Sequence, residues 1–277
     1  MREDGPVAGA AGRRRLLVAL LALGAALTLV PSASAEAAEA AAPGCPAVAL
    51  FAVPGTRETS EAADPARSIG MLSGLTDPLA ARWGGDPAAL SVRYVPYPAS
   101  LDRPFYLVSE QRGADRLTRD AVDVATRCPA TTITLVGYSQ GADVVSDVLH
   151  RVANGTVALA PERIGGAVML GSPRRDPLSP NLIETPGRGL LGPRPTRELD
   201  VYDGRVYEVC APGDPICATE NLDVRAFREG WFSGAHRSYP TLAVGPAGTP
   251  LFTVLERGVD ALVTGTSAST VGTAASG

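Results

Sequence analysis

Five short, largely apolar runs, at residues 47–53, 90–95, 132–136, 166–170 and 205–209, limit what this chain can fold into. A strand with one wet face alternates apolar and polar residues, whereas a strand covered on both faces is apolar throughout. Segments of helical period separate the runs. Leu117, Ala121 and Val124 mark one face of a helix from about 110 to 127. Ala142, Val145, Leu149 and Val152 mark a second, which Asn154-Gly155 is suited to end. A last helix is expected from about 250 to 262, with Leu251, Val254, Val259 and Leu262 inward. Strands that alternate with helices predict a three-layer α/β/α sandwich around a central, mainly parallel five-stranded sheet.

The ends of the chain read differently. Arg13-Arg14-Arg15 precede an apolar run at 16–30, and Ala33-Ser34-Ala35 is a small-x-small cleavage site, so residues 1–35 read as a secretory signal peptide. The run is too short and too rich in Ala and Gly for a membrane anchor, and no obligatory membrane span is expected. Residues 36–44 are an Ala/Glu linker, and 264–277 a Ser/Thr/Gly/Ala tail expected to be disordered. Between them there is neither a repeat nor a second linker, which leaves one domain at 45–263, expected to be a secreted monomer. The leader carries four arginines against Glu3 and Asp4, so its loss moves the net charge from −4 to −6. An acidic surface without a basic cluster argues against nucleic acid as a partner. The 25 basic residues are all arginine, a coding bias without functional meaning.

Four cysteines remain after export: Cys45, Cys128, Cys210 and Cys217. An even count in an exported chain favours two disulfides, with three pairings open. Cys210 and Cys217 enclose a short Pro/Gly loop and can pair locally, and Cys45 and Cys128 would then join two segments that lead into apolar runs. In the chain-entropy view the long bridge contributes about 4–5 kcal/mol and the short one about 2–2.5. A zinc site does not suit the spacing, and no histidine lies near these cysteines in sequence. No metal or organic cofactor is implied.

The third run leads into Gly137-Tyr138-Ser139-Gln140-Gly141, a G-x-S-x-G pentapeptide between strand and helix. That is the pattern of a nucleophile elbow, where a sharp turn leaves a serine hydroxyl exposed. Such a hydroxyl needs an adjacent base. The chain has two histidines. His150 lies three turns along the helix from Ser139 and is expected to be solvated. His236, ahead of the last helix, is the base by elimination. The imidazole in turn needs an orienting carboxylate. Asp214 sits inside Cys210-Ala211-Pro212-Gly213-Asp214-Pro215-Ile216-Cys217, where a disulfide would hold it rigidly. The order Ser139, Asp214, His236 is that of the α/β-hydrolases. An oxyanion hole needs two donors. The Gln140 amide is one, and Thr56, in the turn after the first run, is the other candidate. Ile216, Trp231 and Phe232 are candidate acyl contacts.

These residues resemble the cutinase family of secreted serine esterases, particularly its bacterial members. The likeness rests on G-T-R-E after the first strand, Tyr97-Pro98-Ala99 after the second, G-Y-S-Q-G-A at the elbow, Gly171-Ser172-Pro173, the C-A-P-G-D-P-I-C loop, and His236 followed by Tyr239. The resemblance implies a small α/β hydrolase with two disulfides and usually no full lid. By position it implies Ser139 as nucleophile, Asp214 and His236 as its partners, and Thr56 and Gln140 at the oxyanion hole. The substrate would be an acyl ester, lipid, polyester or acylated polysaccharide. Two residues depart from the pattern: Pro54, where an arginine often precedes the oxyanion glycine, and Ser172, where aspartate is common. Residues 172–203, rich in Pro, Gly and Arg, read as a surface excursion over one sheet edge. The alternatives are an acetylxylan-type or phospholipid esterase on the same machinery, and a non-catalytic, envelope-associated binding protein.

Overall fold

The sheet splits each apolar run between two cores. In β1 (Val48–Val53), Ala49, Phe51 and Val53 enter the core on one face, and Val48, Leu50 and Ala52 enter the core on the other. In β3 (Thr132–Tyr138), Ile133 and Leu135 go one way and Val136 and Tyr138 the other. A run apolar at every position is therefore a period-2 strand read by two hydrophobic layers. The computed structural model describes residues 44–266 apart from 180, 186, 195–196 and 220–223. The expected leader at 1–35, all but the last residue of the linker at 36–44, and most of the tail at 264–277 lie outside the described residues.

The central sheet also contains β2 (Leu90–Tyr94), β4 (Ile164–Leu170), β5 (Leu182–Glu184) and β6 (Val206–Cys210). Its order is β2-β1-β3-β4-β6-β5, with parallel pairing throughout. Six strands replace the expected five. The extra one, β5, belongs to the 172–203 excursion and adds three residues to the exposed edge of β6. Two residues in each of β7 (Ala243–Val244) and β8 (Thr249–Pro250) form a separate antiparallel pair.

One face of the sheet is covered by α2 (Tyr106–Arg127) and α3 (Gln140–Ala153). The other is covered by α1 (Ser73–Trp83) and α5 (Leu251–Thr264), while α4 (Val224–Ser233) stands beside the carboxyl ends of the strands. The helix α2 begins about a turn earlier than the periodicity predicts. Pro78 inside α1 masks it as a helix, since proline reads as a breaker. His150 is not solvated: it is buried on α3, with Nδ1 2.7 Å from the Ser146 carbonyl oxygen. Disulfides join Cys45 to Cys128 and Cys210 to Cys217. The first anchors the start of β1 to the end of α2. No helix among the described residues is long and apolar enough to cross a membrane.

Candidate active site

Ser139 occupies the turn between β3 and α3 with φ 55° and ψ −117°, a conformation a non-glycine residue adopts only under constraint. The flanking glycines supply it. A Cβ on Gly141 would stand 2.0 Å from the Val53 carbonyl oxygen, and one on Gly137 would stand 2.3 Å from that of Gly141. Neither approach tolerates a side chain, so the elbow closes only with glycine at both positions. The Ser139 amide donates to the Leu170 carbonyl at 2.8 Å, which fixes the turn against β4.

The hydroxyl faces His236, whose Nε2 lies 2.9 Å from Ser139 Oγ and whose Nδ1 lies 2.8 Å from Asp214 Oδ2. With the proton on Nδ1, the ring donates to Asp214 and accepts from the serine. His236 sits in a short 3-10 turn, Ala235–Arg237, after α4, and it is buried. Asp214 is fully excluded from solvent. Its Oδ1 accepts from the Ile216 amide at 2.8 Å, and Oδ2 also accepts from the Tyr239 hydroxyl. Burial, and then the charge of Asp214, push the Tyr239 phenol well above its ordinary value, so it stays a donor. The Cys210–Cys217 bridge closes the loop around this carboxylate. Cys210, Asp214 and Cys217 bring three ligand-type atoms within 4.8 Å, but sulfurs shared in a disulfide offer no thiolate to a metal.

Tyr138 supports the imidazole from behind. Its hydroxyl donates to the His236 carbonyl at 2.8 Å, with ring centroids 5.0 Å apart. Trp231 stacks over the same ring at 6.1 Å and 25°. The sequence pointed to Trp231 for its hydrophobicity, and its contact is to the histidine as well as to the cleft. Phe232, the third candidate acyl contact, is 78% exposed and lies outside the cleft lining, because its neighbour on α4 takes the inward position.

Residues 54–59 form the opposite lip. Glu58 braces this turn: Oε2 accepts from the Gly55 amide at 2.7 Å and Oε1 from the Met71 amide at 2.9 Å. The Pro54 carbonyl accepts from the buried Tyr97 hydroxyl at 2.6 Å, so proline at this position leaves the turn anchored. Thr56 Oγ1 donates to Gln140 Oε1 at 3.3 Å, and Gln140 Nε2 donates to the Ser100 and Tyr106 carbonyls. Among the described residues, neither the Thr56 nor the Gln140 amide donates to a backbone carbonyl in a turn, loop or cap. Two donors are thus available beside Ser139. Arg57 and Ala99, both at positive φ, are joined by a backbone hydrogen bond of 2.8 Å beneath this lip.

The cleft above the serine measures about 930 Å³, and apolar side chains line most of it, among them Met71, Leu101, Leu190, Leu191, Ile216 and Trp231. Leu190 and Leu191 come from the 172–203 excursion, which therefore walls the site instead of only covering a sheet edge. Arg194 fixes that wall. Its guanidinium donates to Asp143 Oδ1 from Nε at 3.1 Å and Nη2 at 2.9 Å, and to Glu110 Oε1 at 3.3 Å. Tyr106 donates to the other Asp143 oxygen at 3.0 Å. Burial, then the Asp143 charge, raise Glu110 from 4.5 to about 8 against the pull of Arg194. The one sequence signal for this cluster was the arginine excess of the excursion.

The family model for cutinases matches residues 44–241. The carboxylesterase Culp6 homolog of Corynebacterium glutamicum is 28% identical over 233 residues, which cover 71% of this chain and 74% of that one. Carboxylesterase Culp1 of Mycobacterium tuberculosis is 30% identical over 204 residues, covering 73% and 83%. Among solved structures, a cutinase-like protein from Cryptococcus sp. superposes with a TM-score of 0.55 at 18% identity, covering 81% of this chain and 98% of that one, a likeness of fold.

Proposed function

Because this chain belongs to the cutinase family and is a serine carboxylic-ester hydrolase, we propose that Ser139, His236 and Asp214 are its catalytic triad, with Thr56 and Gln140 as the oxyanion donors. The observation that carries the reading is the unbroken relay from Ser139 Oγ through His236 to Asp214, at 2.9 and 2.8 Å, opening on an apolar cleft. His236 Nε2 takes the proton of Ser139 as the hydroxyl attacks the ester carbonyl, and Asp214 stabilises the imidazolium that forms. The carbonyl oxygen gains negative charge between the Thr56 and Gln140 amides. The imidazolium then protonates the departing alcohol, leaving an acyl-serine. Water gives a proton to His236, attacks the acyl carbon, and releases the acid as the proton returns to Ser139 Oγ.

The cleft supports an acyl group longer than acetyl, held by Leu190, Leu191 and Ile216. The arginine-led apolar run and Ala33-Ser34-Ala35 support export, with cleavage after Ala35. Ser139→Ala is expected to lower p-nitrophenyl butyrate turnover by on the order of 10⁵-fold with an unchanged circular dichroism spectrum. Retained turnover in that folded variant overturns the triad. Rates on acetyl, butyryl and octanoyl esters and on acetylxylan test the acyl preference: a profile confined to acetyl returns the acetylxylan-type reading.

A further inference from the structure

Because Asp214 is fully excluded from solvent, protein groups alone solvate its charge. Among the described residues three donors reach it. The Ile216 amide donates to Oδ1, while His236 Nδ1 and the Tyr239 hydroxyl share Oδ2. The first is backbone and the second belongs to the reacting ring, so of the three only Tyr239 is a side chain free to adjust the carboxylate. Tyr239 is itself fully buried, edge-on to the imidazole with ring centroids 6.4 Å apart and planes at 86°. Its oxygen accepts from the Ala211 amide at 3.3 Å. The Cys217 sulfur lies 3.3 Å away, but a carboxylate is much the stronger acceptor, so the phenol proton goes to Asp214. Gly171, at φ 62° after β4, makes the meeting possible. A Cβ there would stand 2.9 Å from the Tyr239 hydroxyl, 3.0 Å from His236 Cε1 and 3.1 Å from Asp214 Oδ2.

We propose that Tyr239 is a positioning residue of the esterase, which pins Asp214 Oδ2 and sets how strongly that oxygen holds His236 Nδ1. Tyr239 has this role only if Asp214 and His236 act on Ser139 as proposed above. A hydrogen bond to a carboxylate stabilises its charge and so lowers its pull on any other proton. The tyrosine therefore loosens the bond from His236 while fixing the oxygen that receives it. Tyr239 lies outside the lining of the cleft, so its influence on the ester passes through Asp214 and His236.

The test compares the mature, oxidised parent with Tyr239→Phe and with a ring-fluorinated tyrosine placed at the same position, which keeps the hydroxyl and makes it a stronger donor. The His236 Nδ1 proton is followed in the far-downfield proton spectrum and assigned by its loss in His236→Gln. It is expected to move downfield in Tyr239→Phe, where the imidazole has Oδ2 to itself, and upfield with the fluorinated ring. On a butyryl ester, Tyr239→Phe should lower kcat by about ten-fold, the effect of one hydrogen bond to a charged group, and leave KM within about two-fold. A tyrosine that only fills space would not move the proton in opposite directions. A signal that stays in place in both variants overturns the proposal, as does a loss carried by KM with kcat unchanged. If Tyr239→Phe does not fold, the fluorinated ring decides alone, and the absence of an upfield shift overturns the proposal. Turnover retained in Ser139→Ala breaks the triad itself, whereas a proton signal fixed in parent and variants breaks only the role of Tyr239.

Discussion

Asp214 and Asp143 are both fully excluded from water, and each accepts a hydrogen bond from a tyrosine, Tyr239 and Tyr106 respectively. They serve different parts of one cleft. What separates them is the nitrogen group each faces. Asp214 faces an imidazole whose second nitrogen reaches Ser139. Asp143 faces the guanidinium of Arg194, which never gives up its proton in a protein. In the proposed mechanism the first carboxylate acts through a partner that can exchange a proton, and the second holds a partner that cannot.

The sharpest way to break this comparison is to neutralise each carboxylate in turn. Asp214→Asn is expected to lower kcat/KM on a butyryl ester by about 10⁴-fold, because the amide favours the wrong imidazole tautomer. Asp143→Asn should keep activity within about ten-fold of the parent while stability falls by about 3 kcal/mol, as Arg194 loses its best-placed anion. Esterase rates beside denaturant melts read both effects. Equal losses of activity from the two variants would erase the distinction.

Arg194→Met tests the same wall from the other side and is expected to act less on chemistry than on shape. It removes the cation that Asp143 and Glu110 share and leaves Asp143 the longer contact to Arg174 at 3.7 Å, a loss of about 3 kcal/mol, or about 6–12 °C in Tm for a domain of this size. Leu190 and Leu191 lie four and three residues upstream, so the ratio of octanoyl to butyryl turnover should shift by about five-fold, the effect of roughly one mispositioned methyl contact. An unchanged ratio would mean that the excursion holds its shape without the arginine.

The two walls also differ in how far they could be read from the sequence. The elbow was legible because its glycines answer a local backbone demand, and the five main strands because apolar runs of that length need two cores. Asp214 stood out through the cysteines seven residues apart that frame it. The Asp143–Arg194 clamp was not legible, since its members are 51 residues apart and Asp143 sits at a helix position where an acid normally faces water. Strand β5 escaped because three residues between prolines show no period, and α1 because Pro78 lies inside it. His150 was misread for a related reason: helical spacing shows which face a residue shares, but not that the excursion packs back onto α3, with Glu198 Oε2 3.9 Å from His150 Nε2 and the Tyr202 hydroxyl donating to the Leu149 carbonyl at 2.6 Å.

Glu110 gives the finest test, because it makes the architectural wall sensitive to pH. Its carboxyl is raised from an ordinary 4.5 to about 8 by burial and then by Asp143, with Arg194 pulling the other way. Between those values the folded protein holds a proton that the unfolded chain has released, so unfolding releases it and rising pH favours unfolding. Stability is therefore expected to fall with pH across this window, by at most about 1.4 kcal/mol per unit. Glu208, buried beside Arg175 and raised to about 7, adds a slope of the same sign that fades above that pH. The interval from pH 7 to 8 weights the slope toward Glu110, and a variant separates it from what Glu208 still contributes. Glu110→Gln keeps an acceptor for Arg194 but has no proton to lose, so denaturant melts at pH 7 and 8 should differ less for the variant than for the parent. An equal drop in both would place the titration elsewhere.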